Sequence, residues 1–190
     1  MNPRVVRASA VEPMAWRNGG GRTRELFAWP AGPDWKLRIS LADIEADGPF
    51  SSFPGVQRWF AVLSGAGVVL RFADGERRLD AASAPLAFDG ASAPGCSLVA
   101  GPTRDLNLML RGGARGRLER AASGVAWDCA EAWRACFVGG PARWQGAGGE
   151  PVALDADALL IGLPPGPCRL DARGGAPMFW IAADPVEDVR

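Results

Sequence analysis

The 190-residue chain carries 21 basic and 21 acidic side chains, no histidine and 48% hydrophobic residues, so it is formally neutral at pH 7 and able to fill a real core. Its basic residues are scattered, which excludes the cationic face of a nucleic-acid binder. No apolar run approaches the ~20 residues of a membrane span or the core of a signal peptide, so a cytoplasmic protein with no membrane or nucleic-acid partner is expected.

A short strand is expected around Arg4 to Ala8, broken by Glu12-Pro13. The chain then enters Trp16-Arg17-Asn18-Gly19-Gly20-Gly21-Arg22-Thr23-Arg24-Glu25, the stretch around which the sequence is organised. Three consecutive glycines surrender much backbone entropy, tolerable where φ is positive or where something approaches the backbone closely. Their amides offer a cradle for an anion, although neither the P-loop nor the Rossmann spacing is present. A strand follows over 24–29. Trp35 to Ala42 then alternates strictly, with Trp35, Leu37, Ile39 and Leu41 on one face and Lys36, Arg38, Ser40 and Ala42 on the other. The stretch 47–58 mixes turn residues with Phe50 and Phe53. Residues 58–63 and 67–72 read as a strand pair across Ser64-Gly65-Ala66, and Asp74-Gly75 as a hairpin turn. Strands continue to Arg111, and in Asp105-Leu106-Asn107-Leu108-Met109-Leu110 the leucines share one face while Asp105, Asn107 and Met109 share the other. Helical periodicity is weak and confined to 129–135.

Asp74 to Ala81 echoes Gly148 to Ala156, each followed by an apolar strand (85–88, 158–161) and a last strand (105–111, 177–183). This repeat predicts two barrels, over 1–112 and 113–190, with 112–123 as the connection.

Four motifs carry a resemblance: Trp16-x-Asn18-Gly19-Gly20-Gly21-x-Thr23-x-Glu25; Arg38-x-Ser40; Gly48-Pro49-Phe50-Ser51-x-Phe53-Pro54-Gly55-x-x-Arg58; and Gly101-Pro102-x-x-Asp105-x-Asn107-x-Met109. Together they resemble the HutD/Ves family of bacterial cupin-fold proteins. The resemblance implies an all-β, cupin-like (RmlC-like) double-stranded β-helix jelly roll with two barrels, a bicupin. It also implies an association with histidine utilisation, with sensing or limiting of intermediates such as formylglutamate suggested as the role.

The residue inventory narrows the chemistry. Cupin metals are commonly held by histidines, and this chain has none; Cys96, Cys129, Cys136 and Cys168 lack paired zinc spacing, so no metal and no cofactor are expected. These cysteines are expected to be reduced thiols, mostly buried. Histidine-assisted serine catalysis is excluded, and tyrosine is missing too. Acid–base work falls to Glu25 or Asp105, or to a cysteine. Arginine binds a carboxylate through two parallel hydrogen bonds, which makes Arg38 or Arg58 the natural clamp. The expected ligand site is Asn18, Thr23, Glu25, Arg38, Ser40, Arg58, Asp105 and Asn107, with Arg38 as the anion-binding residue. Trp16, Phe50, Phe53 and Trp59 read as core or pocket wall. The inventory favours a binder of a small carboxylate over a metal-independent isomerase or hydrolase using Glu25 or Asp105. A structural or oligomerisation module is a third alternative, and a homodimer is left open.

Overall fold

The computed structural model describes residues 3–172 and 174–184, and its regular structure is almost all strand. β1 (Arg4–Arg7) comes first. Between Val11 and Gly113 lie β2 (Met14–Ala15), β3 (Gly21–Trp29), β4 (Leu37–Ile44), β5 (Gly48–Pro49), β6 (Val56–Ser64), β7 (Val68–Phe72), β8 (Gly75–Leu79), β9 (Leu86–Asp89), β10 (Gly95–Leu98) and β11 (Thr103–Arg111). After Ala114 come β12 (Arg115–Arg120), β13 (Ala126–Trp127), β14 (Trp133–Val138), β15 (Ala142–Gly146), β16 (Val152–Leu154), β17 (Ala158–Ile161), β18 (Cys168–Ala172) and β19 (Met178–Asp184). No helix among the described residues is long and apolar enough to cross a membrane.

Residues 11–113 form one compact unit; the described residues on either side of that span form the other. In the 11–113 unit a six-stranded antiparallel sheet, β2-β3-β4-β11-β6-β9, pairs with a four-stranded one, β5-β10-β7-β8. Alternation makes the core: Ile44, Phe60 and Val62 from the larger sheet meet Val68, Leu70, Leu79 and Cys96 from the smaller. β4 and β11 occupy the middle of their sheet, and there the expected split of faces holds, with Leu37, Ile39, Leu41, Leu106 and Leu108 at most 2% exposed.

The other unit repeats the plan. Its sheets run β12-β19-β14-β17-β1 and β13-β18-β15-β16, so β12-β19-β14-β17 answers β4-β11-β6-β9 strand for strand. Each unit is a cupin-like pair of sheets, and the echo in the sequence marks this duplication. Its core joins Cys136, Val138, Leu160 and Trp180 to Trp144, Leu154, Cys168 and Leu170.

Three details differ from the sequence reading. β1 was expected within a barrel spanning 1–112, but it pairs with β17, Val5 opposite Leu160, and joins the second unit. Four residues of alternating strand do not specify which sheet edge they will extend. Residues 58–63 and 67–72 do not pair either. β6 bonds to β11 and β9 while β7 bonds to β8 and β10, so the glycine turn between them carries the chain from one sheet to the other. The helical hint at 129–135 gives way to β14, six buried residues in succession, because a strand buried on both faces loses its period of two. The hairpin at Asp74-Gly75 is present, with Ala73-Asp74 as its loop and Phe72 opposite Gly75.

Candidate functional site

The 11–113 unit holds a cavity of about 390 Å³ between its sheets. Asn18, Thr23, Arg38, Ser40, Arg58, Asp105 and Asn107 line it, seven of the eight residues expected from sequence. The eighth, Glu25, reaches the site through Arg38, whose Nε lies 2.8 Å from Glu25 Oε2. Strand register explains the gathering. On β4 and β11, Arg38 stands opposite Met109 and Ser40 opposite Asn107, while Arg58 on β6 stands opposite Met109 from the other side.

The glycine loop supplies one wall. Gly19 has φ +70, the left-handed region, and Gly21 lies so close to β4 that a Cβ there would sit 2.3 Å from the Asp43 carbonyl oxygen. The loop is not the anion cradle its amides suggested. The Gly19 amide donates to the Trp16 carbonyl (3.0 Å) and the Gly20 amide to Asn18 Oδ1 (3.0 Å), so both donors are already used. Trp16 Nε1 donates to Thr23 Oγ1 at 2.7 Å and anchors the loop.

The two arginines differ. Arg38 has 17% of its side chain exposed and faces a carboxylate, as an inner-facing arginine with no bound anion should; its Nε nevertheless makes no aligned hydrogen bond. Arg58 is deeper, 5% exposed. Phe50, Phe53 and Phe88 surround its guanidinium, with ring centroids 5.2, 5.7 and 5.1 Å from Cζ. Arg58 Nη2 donates to Asn107 Oδ1 at 2.8 Å, and its Nε has no partner. Burial pulls Arg58 down to about 10, against the opposing charge of Asp105; it stays cationic at neutral pH.

Asp105 is 1% exposed. Asn107 Nδ2 donates to Asp105 Oδ1, and Asp105 Oδ2 has no partner. Burial pushes this carboxyl up to about 8, outweighing the Arg58 charge and the Asn107 hydrogen bond. Asp43, on the other face of β4, is the reverse case: burial raises it, but Arg104 and Arg24 at 2.7 and 2.9 Å hold it below its ordinary value.

Sequence reasoning missed Arg17, Ser51 and Met109 as lining residues, and Phe88 as part of the aromatic ring around Arg58. Met109 shares the alternating face of Asp105 and Asn107, a signal that was there to use. Trp16, Phe50 and Phe53 do line the wall; Trp59 does not. Three of the four thiols are buried and all four are free, with Cys129 half-buried. No cluster of three or more metal-ligating side chains occurs among the described residues.

Comparison with known proteins places these features in a family. The HutD family model matches residues 8–179. A solved structure of a conserved protein of unknown function from Pseudomonas aeruginosa PAO1 is 30% identical, covering 97% of this chain and 100% of that one, with a TM-score of 0.87. HutD from Pseudomonas fluorescens SBW25, solved under a formate condition, is 29% identical over 96% and 98% of the two chains, with a TM-score of 0.80. An uncharacterised 21.2 kDa protein of the hutC 3' region in Pseudomonas putida is 38% identical over 121 residues, 55% of this chain and 56% of its own. Protein Ves of Citrobacter koseri is 39% identical over 98 residues, 50% and 51% of the two chains. The chain thus spans about half the length of these curated relatives.

Proposed function

The chain belongs to the HutD family, and from that premise we propose that its cavity binds a small carboxylate or amino-acid derivative of the formylglutamate type, in a regulatory or sequestering role in histidine utilisation. The observation that carries this reading is Arg58. A guanidinium has five N–H donors in a planar fork, and here it is 5% exposed, ringed by aromatic carbons and unpaired at Nε. An uncompensated buried charge costs several kcal/mol, and a ligand carboxylate would repair that deficit. A cavity of about 390 Å³ lies in the range of small-ligand sites, and Ser40, Thr23 and Asn18 supply the neutral polar groups that orient a ligand in such a pocket.

The second reading is a metal-independent isomerase or hydrolase acting on the same ligand class. Asp105 favours it, since a carboxyl pushed up to about 8 is poised to give up or take a proton near neutral pH. Titration with N-formyl-L-glutamate, L-glutamate and formate, followed by thermal shift and by product analysis, separates the two. Stabilisation with no product supports the binder. Turnover that disappears in Glu25→Gln or Asp105→Asn establishes the enzyme instead, and no binding of any of the three overturns the carboxylate reading.

A further inference from the structure

Beneath Arg58 the hydrogen bonds run in one direction. Arg58 can only donate, so the Asn107 amide must turn its oxygen toward Nη2, 2.8 Å away, and its Nδ2 toward Asp105. That fixes Asp105 Oδ1 as an acceptor. Oδ2 is left with less than 1 Å² of accessible surface and no hydrogen-bond partner, on a residue that lines the cavity. No cation stands within ion-pair distance of this carboxyl among the described residues. An ionised Asp105 would keep one oxygen neither solvated nor bonded, whereas the acid form places a proton there and becomes a donor.

Given the carboxylate reading above, we propose that Asp105 is kept as a neutral acid beneath the cavity, so that the charge of Arg58 stays available to one ligand carboxylate and the site binds its anion in step with a proton. Charge counting agrees. With Arg38 balanced by Glu25 and Arg17 exposed at the rim, a neutral Asp105 leaves the buried Arg58 with an uncancelled charge, which suits one carboxylate. With Asp105 ionised that charge is cancelled.

No other group packed around Asp105 is placed to produce the same pH response. Arg58 on β6 stays cationic, Arg38 on β4 lies against Glu25, and Arg17 sits exposed at the cavity rim. Cys96 on β10 is pushed up by burial to about 12 and stays a thiol. Asp43 on β4 is held low, and Glu25 on β3 faces Arg38. Asn107 on β11 does not titrate. The Asp105 carboxyl, which burial raises to about 8, is therefore the group that changes charge across the neutral-to-basic range.

The test is calorimetric titration of the full chain with N-formyl-L-glutamate from pH 6.5 to 9.5, in buffers of low and high ionisation enthalpy. Affinity should be nearly flat below pH 7.5 and about tenfold weaker at pH 9 than at pH 7, with uptake approaching one proton per ligand at pH 9. Asp105→Asn keeps a donor and an acceptor without a titrating proton; whatever its affinity at pH 7, that affinity should be the same at pH 9, with no proton taken up on binding. A folding readout on the unliganded protein checks the same proton. Because the folded value lies above the unfolded one, the stabilisation due to Asp105 is complete below pH 4 and is lost as pH rises toward 8, so the wild-type Tm should fall across that window relative to Asp105→Asn. Binding with no pH dependence, or the same dependence in Asp105→Asn, overturns this inference and leaves the carboxylate reading standing. No carboxylate binding at any pH sinks both.

Discussion

Among the described residues each unit buries one arginine on a corresponding strand, Arg58 on β6 and Arg134 on β14, and each packs it against an aromatic ring, Phe50 or Trp127. What surrounds the two forks differs. Arg134 Nη1 and Nη2 donate to the carbonyls of Pro164 and Gly166 at 2.9 and 2.8 Å, and Asp128 lies 3.3 Å away. Arg58 has the side-chain amide of Asn107 and three phenyl rings. The counterpart strands follow suit: β19 turns Met178 and Trp180 into its core, with Trp180 stacked on Trp127 at 4.6 Å, where β11 lines a cavity with Asp105, Asn107 and Met109. The extra strands also fall on opposite edges, β2-β3 beside β4 in one unit and β1 beside β17 in the other. So only the unit with β2-β3 receives the glycine loop and Glu25. A duplicated fold has one copy whose arginine fork is closed by backbone carbonyls and one whose fork faces a space.

Exchanging each arginine for methionine gives the largest contrast. Arg134→Met strips hydrogen bonds from two carbonyls and should cost ~2–4 kcal/mol of stability, read by denaturant unfolding, with carboxylate binding unchanged in the protein that remains folded. Arg58→Met removes a buried cation that few groups satisfy. It should leave the unliganded Tm level or raised while weakening N-formyl-L-glutamate at least ~100-fold in calorimetry. If Arg58→Met unfolds the chain, or Arg134→Met spares stability and abolishes binding, the two assignments are reversed.

A smaller effect is expected at the loop that one unit has and the other lacks. Gly21→Ala would drive a Cβ to 2.3 Å from the Asp43 oxygen and to 3.2 Å from the Trp16 ring, forcing β3 and β4 apart. It should cost ~1–3 kcal/mol and loosen ligand binding through the displaced wall. Gly20→Ala meets only the Asn18 side chain at 3.4 Å, at a φ that alanine accepts, and its unfolding free energy should stay within ~0.5 kcal/mol of wild type or gain slightly. Equal penalties at both positions would mean that the loop's glycines serve flexibility rather than close approach.

Much of this asymmetry was legible in the residues themselves. Strict alternation gathered Arg38 with Ser40 on one face of β4 and Asp105 with Asn107 on one face of β11, and the four family motifs tied those strands to the glycine loop. The repeat of Asp74–Ala81 at Gly148–Ala156 announced the duplication. Long-range pairing was not legible. Nothing local says that β1 extends β17, or that β6 leaves β7 for β11, because edge choice depends on which apolar faces meet in three dimensions. Arg38 ranked above Arg58 in the sequence, where the greater depth of Arg58 could not be read: alternation shows which way a side chain points but not how far water follows it. The aromatic ring around Arg58 draws on Phe50, Phe53 and Phe88, which are separated by up to 38 positions in the chain and meet only through the pairing of β6 with β9.

The smallest predicted effect concerns Glu25, which stands on one of the strands found only in the cavity-bearing unit. Its side chain is 38% exposed and its contact with Arg38, though 2.8 Å long, is not an aligned hydrogen bond, so the pair contributes little to stability. Glu25→Gln should therefore shift unfolding free energy by no more than ~0.5 kcal/mol. Its electrostatic consequence points the other way, because a carboxylate bordering the cavity repels an incoming anion and offsets the field of Arg38. Removing that charge while keeping the side-chain shape should strengthen N-formyl-L-glutamate binding about two- to fivefold at low ionic strength, a gain that shrinks as salt is added. Weaker binding in Glu25→Gln would instead mean that Glu25 holds Arg38 in its binding geometry, and the charge balance drawn for the cavity would need Arg38 as a second, ligand-facing cation.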